Sequence, residues 1–278
     1  MANIIQHCLF PAAGFGTRFL PITKSIPKEM LPIGTKPLIE YAVAEALSAN
    51  IKNMGIITSK HKKAIEDYFD YNAEIYNQIA GSDKECLLDD IFEIINSANF
   101  SYTRQKEIKG LGDAILNGEI LVGNNPTAVI LADDLCINEN GDSVLKQMVE
   151  LYKIHKCCIV AVEEIDINDS DKYGIIEGNK LEDNLYKITN MIEKPSPELA
   201  PTNMAIIGRY ILTPDIFAII KETKPGKGGE IQITDALLTL AKQTKVLAYK
   251  FEGKRFDCGS IDGFMEATNY FANQRNKT

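Results

Sequence analysis

The sequence contains no apolar run of 18 residues, so no bilayer-spanning helix is expected. Its first residues, MANIIQHCLFPAAG, place no basic segment ahead of an apolar stretch; no secretory leader is expected, and a cytoplasmic setting is. The six cysteines (Cys8, Cys86, Cys136, Cys157, Cys158 and Cys258) form no C-x-x-C pair and no disulfide-framework spacing. They read as reduced thiols, partly in the core. Only three histidines occur, His7, His61 and His155, and they are scattered, which argues against a zinc site. Positive charge is also in deficit. Thirty Lys and Arg against 38 Asp and Glu leave a formal charge of −8. With a pI near 5.1, the chain is a poor candidate for a nucleic-acid binder. The acidity reads as a solvated, soluble surface.

What is present is ordinary globular material. The chain is 278 residues long, 45% hydrophobic and 24% charged. Collagen-like and disordered classes are excluded. A chain of this length buries roughly 75% of its unfolded surface and needs no disulfide or metal staple.

Short apolar runs alternate with helical patterns. Ile4 to Phe10 reads as a first strand, followed by Pro11-Ala12-Ala13-Gly14-Phe15-Gly16. Over 37–49, Leu38, Ile39, Ala42, Val43, Ala46 and Leu47 fall on one helical face. Further strands are expected at 54–58, 100–104, 129–132 and 159–162, with helices at 61–70, 83–98, 111–121 and 144–155. Continuous apolar strands between helices indicate a parallel sheet covered on both faces. After residue 163, strands at 173–177, 185–193 and 204–212 crowd together with polar turns between, which predicts antiparallel hairpins. Helices over 214–222 and 230–243, a strand over 246–251 and a C-terminal helix over 261–273 complete the pattern. One α/β domain with an antiparallel addition fits better than two separate domains. The C-terminal helix, with Phe264, Met265, Ala267, Tyr270 and Phe271, could face another subunit; packing on its own domain is the preferred reading.

In a parallel sheet, ligands bind beyond the carboxyl ends of the strands. The loop after the first strand carries Gly14 and Gly16, which let backbone N–H groups approach a phosphate, and Arg18, Lys24 and Lys28 supply positive charge beside them. That set suits a triphosphate. It is not a Walker A loop, which needs G-x-x-x-x-G-K-[ST]. Nor is it a dinucleotide fingerprint, because Phe19 stands where the third glycine belongs.

The loop belongs to a longer series. Gly14 to Ile33 reads G-F-G-T-R-F-L-P-I-T-K-S-I-P-K-E-M-L-P-I, and Lys36 to Tyr41 reads K-P-L-I-E-Y. Then come R-Q-K-x-x-K-G-L-G-D-A (Arg104 to Ala114), L-A-D-D-L (Leu131 to Leu135), K-Y-G (Lys172 to Gly174) and E-K-P (Glu193 to Pro195). G-E-I-Q-I-T-D-A (Gly229 to Ala236) and F-D-C-G (Phe256 to Gly259) close it. In this order, over nearly the whole chain, the motifs resemble those of the nucleotide-sugar pyrophosphorylases, or sugar-1-phosphate nucleotidyltransferases. P-K-E-M-L-P-I, E-I-Q-I-T-D-A and D-C-G are most similar to the uridylyl-transferring bacterial branch that uses glucose 1-phosphate.

The resemblance implies a Rossmann-like α/β fold: a mixed, mostly parallel sheet flanked by helices, with a smaller antiparallel β addition. It implies a single domain over 1–278, with a nucleotide-binding half over about 1–165 and a sugar-binding and oligomerisation half over about 166–278. The implied reaction joins UTP and glucose 1-phosphate with release of pyrophosphate, assisted by Mg²⁺. The small-molecule substrates are the expected partners, together with further copies of the chain in a dimer or tetramer; nucleic acid and membrane are not. A thymidylyl-transferring relative and a catalytically silent nucleotide-sugar sensor are the alternatives.

Carried onto this sequence, Asp133 is the expected metal ligand and Asp257 the second; Asp134 has the weaker claim. Arg18 and Lys28 would hold the triphosphate and the departing pyrophosphate. Lys194 would pair with the sugar phosphate. Glu193 would accept hydrogen bonds from sugar hydroxyls, with the Gly174 backbone alongside. Ala12, Ala13 and Gly14 would offer backbone groups to the base, with Gly16 in the phosphate loop. Gln105 can read a uracil edge, since its amide both donates and accepts. Gly110 would let the chain pass close to the base, and Glu29 lies near the nucleoside. Thr234 and Asp235 are assigned no role.

Overall fold

A computed structural model describes residues 5–275. The chain opens with β1 (His7–Pro11); its expected start at Ile4 lies outside the described residues. Three 3-10 turns over 17–30 lead to a small ribbon of β2 (Pro32–Ile33) and β3 (Lys36–Pro37), then α1 (Leu38–Ser48) and β4 (Asn53–Thr58). Next come α2 (Lys63–Tyr68), α3 (Ala73–Ile79), α4 (Asp89–Ser97) and β5 (Asn99–Arg104). α5 (Leu111–Asn117), α6 (Glu119–Val122), β6 (Thr127–Ile130), β7 (Asp134–Ile137), α7 (Val144–His155) and β8 (Cys158–Glu164) follow. The rest comprises β9 (Gly174–Glu182), β10 (Leu185–Glu193), β11 (Met204–Leu212), α8 (Asp215–Glu222), α9 (Ile233–Ala241), β12 (Val246–Lys250), β13 (Lys254–Asp257) and α10 (Ile261–Arg275).

Nine strands form one sheet in the order β5-β4-β1-β6-β11-β8-β12-β10-β9. The sheet departs from the expected mostly parallel arrangement. β5/β4, β4/β1, β1/β6 and β8/β12 are parallel; β6/β11, β11/β8, β12/β10 and β10/β9 are antiparallel. The cause is β11. The strand expected in a peripheral addition runs through the middle of the sheet, and all nine of its residues are buried. A strand covered on both faces needs such an unbroken apolar run.

Successive residues of each strand face opposite sides. Cys8, Phe10, Ile56, Ile130, Ile159 and Ile211 pack under α1 and α7. Leu9, Ile57, Val129, Val160, Tyr210 and Val246 pack under α5, α8 and α9 on the other face. A third cluster joins Leu31, Ile33, Leu135, Phe256 and Ala267, with Phe264, Tyr270 and Phe271 of α10 packed against it. α10 therefore covers the β7–β13 pair of its own chain, as preferred, while Met265 remains half exposed. Among the described residues no helix is long and apolar enough to cross a membrane.

Candidate active site

The parallel strands β5, β4, β1 and β6 bring their carboxyl ends to one edge of the sheet. Ala12 and Ala13 are buried directly after β1. The Ala12 amide donates to Ile57 O (2.8 Å), and Ser59 Oγ donates to Ala13 O (2.8 Å). Gln105 follows β5, and its amide N–H donates to Thr58 O (2.9 Å). One loop system thus gathers Ala12, Ala13, Gly14 and Gln105.

Gly14 has open space where a Cβ would stand. Gly16 is left-handed (φ +64°), and a Cβ there would press on the Lys28 and Thr23 side chains at 3.0 and 3.2 Å. Thr23 Oγ1 closes the loop by donating to Gly16 O (2.8 Å). Gly16 therefore lets the loop lie against Lys28. Lys24 is exposed and has no part in the cleft described below.

Gln105 is buried and its Nε2 donates to Asp113 Oδ2 (2.7 Å) and Gly110 O (3.3 Å). Both amide hydrogens are engaged, so the side chain offers a ligand an acceptor rather than the donor-plus-acceptor pair expected. Gly110 (φ +99°) is also bare for a packing reason. A Cβ on it would stand 2.8 Å from Glu230 Cβ and Ile231 O, so its bareness lets the 230–231 segment dock against α5. Ile231 N donates to Lys109 O and Gly112 N to Ile231 O, which hold the segment there.

Glu29 is almost fully buried and pairs with the equally buried Lys62, Nζ to Oε2 2.7 Å. Burial pushes the Glu29 carboxyl up and the Lys62 ammonium down from their ordinary values. Glu29 Oε1 is buried with no hydrogen-bond partner.

Beyond β6, Asp133 meets Lys28, Nζ to Oδ2 2.5 Å. Burial opposes both charges. The Asp133 carboxyl nevertheless lies below the usual carboxylate range because of the Lys28 ammonium, and Lys28 is held protonated chiefly by Asp133 and Glu29. Asp134 does different work. Its Oδ2 accepts from Gly208 N (2.8 Å) and its Oδ1 from Arg255 Nε (2.5 Å), so it fastens β7 to β11 and β13.

Asp133, Asp257, Arg18, Gly174, Glu193 and Lys194 line one cleft of about 580 Å³. Beside Asp133, Asp257 and Arg18, a Cβ on Gly259 would lie 3.0 Å from Asp257 Oδ1, 3.1 Å from Asp133 Oδ2 and 3.5 Å from Arg18 Nη1. Arg18 Nη1 also donates to Gly259 O (3.2 Å). Also lining the cleft, Lys194 has its Nζ 3.1 Å from Glu193 Oε1 and a left-handed backbone (φ +49°), strained for a non-glycine residue.

Three further lining residues were not expected. Tyr173 Oη donates to Asp257 Oδ2 (2.7 Å), and burial pushes its hydroxyl up to about 12, so it remains a donor at neutral pH. Arg255 stacks on the Tyr173 ring (4.9 Å) and bonds Asp134 and Glu163. Thr234 Oγ1 donates to Glu193 Oε2 (2.9 Å). Tyr173 is the centre of K-Y-G and Thr234 lies in G-E-I-Q-I-T-D-A, while Arg255 stands just ahead of F-D-C-G, two residues before Asp257 on one strand face.

The resemblance implies Mg²⁺, and the donor set suits it. The two carboxylates converging at Gly259 are hard oxygen ligands in an open cleft. Mg²⁺ is commonly bound by one or two carboxylates, with substrate phosphates and waters completing its shell. Among the described residues no group of three or more His, Cys, Asp or Glu side chains is arranged to hold a metal, so substrate oxygens would complete the coordination.

A parallel-strand edge with a glycine loop, two convergent carboxylates and cations on both sides is the construction of a phosphate-handling transferase. The chain belongs to the nucleotidyl transferase family, whose model matches residues 10–274. Within it, the chain is 58% identical over 267 residues to a UTP–glucose-1-phosphate uridylyltransferase of Pseudomonas aeruginosa, with 96% of each chain covered. It is 43% identical to the Bacillus subtilis enzyme of the same name, covering 97% of this chain and 92% of that one. A solved UDP-glucose pyrophosphorylase complexed with UDP-glucose superposes with a TM-score of 0.91 at 57% identity, covering 97% of this chain and 99% of that chain. A UTP-bound enzyme of this kind from Acinetobacter baumannii superposes with a TM-score of 0.88 at 35% identity, covering 96% and 93%.

Proposed function

We propose that this chain joins UTP and α-D-glucose 1-phosphate to give UDP-glucose and pyrophosphate. The observation that carries the reading is one cleft lined by Asp133, to which Lys28 is paired, together with Arg18, Asp257, Glu193 and Lys194. An oxygen of the sugar phosphate attacks the α-phosphorus of UTP. The new P–O bond forms as the bond to the β-phosphate bridge breaks, and pyrophosphate leaves with the electron pair. No proton need move, so no nucleophilic side chain or general base is required. The demands are alignment and charge compensation.

Each side chain then has a task. Lys28 and Arg18 compensate charge on the triphosphate and on the leaving pyrophosphate. Lys194 draws in the sugar phosphate, and Glu193 accepts from sugar hydroxyls. Gln105 Oε1 accepts from the N3–H of uracil, a donor that cytosine lacks. The base lies against Ala12, Ala13 and Gly14. Gly174, beside Glu193, offers its backbone groups to the sugar. Asp133 and Asp257 would hold Mg²⁺, which supplies neutralisation of the phosphates when bound.

The catalyst is proposed to be cytoplasmic, in keeping with its free cysteines, and to be a dimer or tetramer, on the family resemblance. The nucleotide-binding groups lie before about residue 165 and the sugar-binding groups after it.

The test is pyrophosphate release with Mg²⁺, glucose 1-phosphate and, in turn, UTP, dTTP, ATP, CTP and GTP. Release with UTP above the others is expected. Preference for dTTP would move the assignment to a thymidylyltransferase, and no release with any nucleotide would refute it.

A further inference from the structure

Glu193 needs a fixed orientation to distinguish one sugar from another, and a carboxylate on a strand end does not supply this alone. Its Oε1 faces Lys194 Nζ at 3.1 Å, and its Oε2 accepts from Thr234 Oγ1 at 2.9 Å. Thr234 lies in the first turn of α9 and is 3% exposed. Its methyl group presses on the bare face of Gly174, where a Cβ would come within 2.6 Å of Thr234 Cγ2 and 3.3 Å of Glu193 Oε2. Gly174, Glu193 and Thr234 come from three separate segments and meet at one wall of the cleft. The threonine uses both halves of its side chain, the hydroxyl to hold the carboxylate and the methyl to pack the glycine.

We infer that Thr234 is a positioning residue that sets sugar selectivity: it holds the Glu193 carboxylate in the orientation that accepts two hydroxyls of one hexose 1-phosphate epimer. The inference rests on the proposed placement of glucose 1-phosphate in this cleft. Without the hydroxyl, Glu193 Oε2 loses its donor and the carboxylate can rotate toward Lys194. Both the position of the acceptor oxygens and the charge left for the sugar phosphate then change.

Thr234→Val keeps the shape and the methyl but removes the hydroxyl. Its KM for glucose 1-phosphate should rise about tenfold, the effect of losing one hydrogen bond to a charged group. The KM for UTP should stay within about twofold, and the preference in kcat/KM for glucose 1-phosphate over galactose 1-phosphate should narrow. Thr234→Ser restores the hydroxyl and should recover most of both. If Thr234→Val does not fold, Thr234→Ala against Thr234→Ser reads the same contrast.

An unchanged KM for glucose 1-phosphate in the hydroxyl-free variant overturns the inference. So does an equal rise in both KM values, or a serine variant as impaired as the valine. Wild-type protein that releases no pyrophosphate from UTP and glucose 1-phosphate overturns instead the reading of the cleft.

Discussion

Lys28 and Asp133, 105 residues apart, meet at 2.5 Å just beyond the end of β6. Each holds the other charged against the pull of burial. Lys28 is therefore held protonated and fixed beside Asp133.

Removal of either partner should be costly to turnover. Lys28→Met and Asp133→Asn should each lower kcat/KM at least about a hundredfold, the usual effect of deleting one charge-stabilising group. Pyrophosphate release checks this, with thermal melting to establish that each variant is folded.

Base reading should be separable from sugar binding. Gln105→Leu removes the acceptor proposed for uracil N3–H and releases Asp113 and Gly110 O from their donor. The KM for UTP should rise about tenfold or more while the KM for glucose 1-phosphate changes little. Steady-state kinetics with each substrate varied in turn decides it.

Arg209 is a buried scaffold for the same region. It pairs with Glu45 (Nη2 to Oε2, 2.7 Å) and donates to the carbonyls of Leu131 and Asp134, on either side of Asp133, and of Gly208 within β11. Arg209→Met leaves Glu45 buried without its partner and should destabilise the fold by about 3–5 kcal/mol. A double variant with Glu45→Leu should recover part of that loss. Urea unfolding of the three proteins measures both.

The thiols give a check on the core. Cys86 is the exposed one of the six. Burial pushes the thiols of Cys158 and Cys258 up to about 12, so at pH 8 only about one part in ten thousand of each is thiolate. A chromogenic disulfide reagent at pH 8 should titrate one thiol quickly in the native protein and six in denaturant.

Much of the architecture could be read from residue pattern. α7 runs Val144–His155 as its apolar spacing indicates, and β10 and β11 have the bounds of their apolar runs. α3 is not legible in the pattern: it spans only seven residues, and none of them is buried, so Ile75, Tyr76 and Ile79 mark no core-facing stripe. The position of β11 was hidden for another reason. Period and length reveal a strand, but the neighbours it chooses depend on long-range packing. In the site, Arg18, Asp133, Glu193, Lys194 and Asp257 were legible as charged residues within motifs, and the structure brings them to one cleft. Tyr173 and Thr234 lie inside the motifs and Arg255 next to one, but their work is to hold other side chains, and that role shows only once their partners are in place.

The central place of β11 has a consequence for how the chain is made. β6 ends at Ile130, but the strand that covers its edge begins only at Met204. During synthesis at ~5–20 residues per second, the parallel group β5-β4-β1-β6 waits several seconds with a bare apolar edge. Such an edge invites pairing with another nascent chain. The newborn protein is therefore most open to aggregation before β11 leaves the ribosome, the interval in which a chaperone would protect it most.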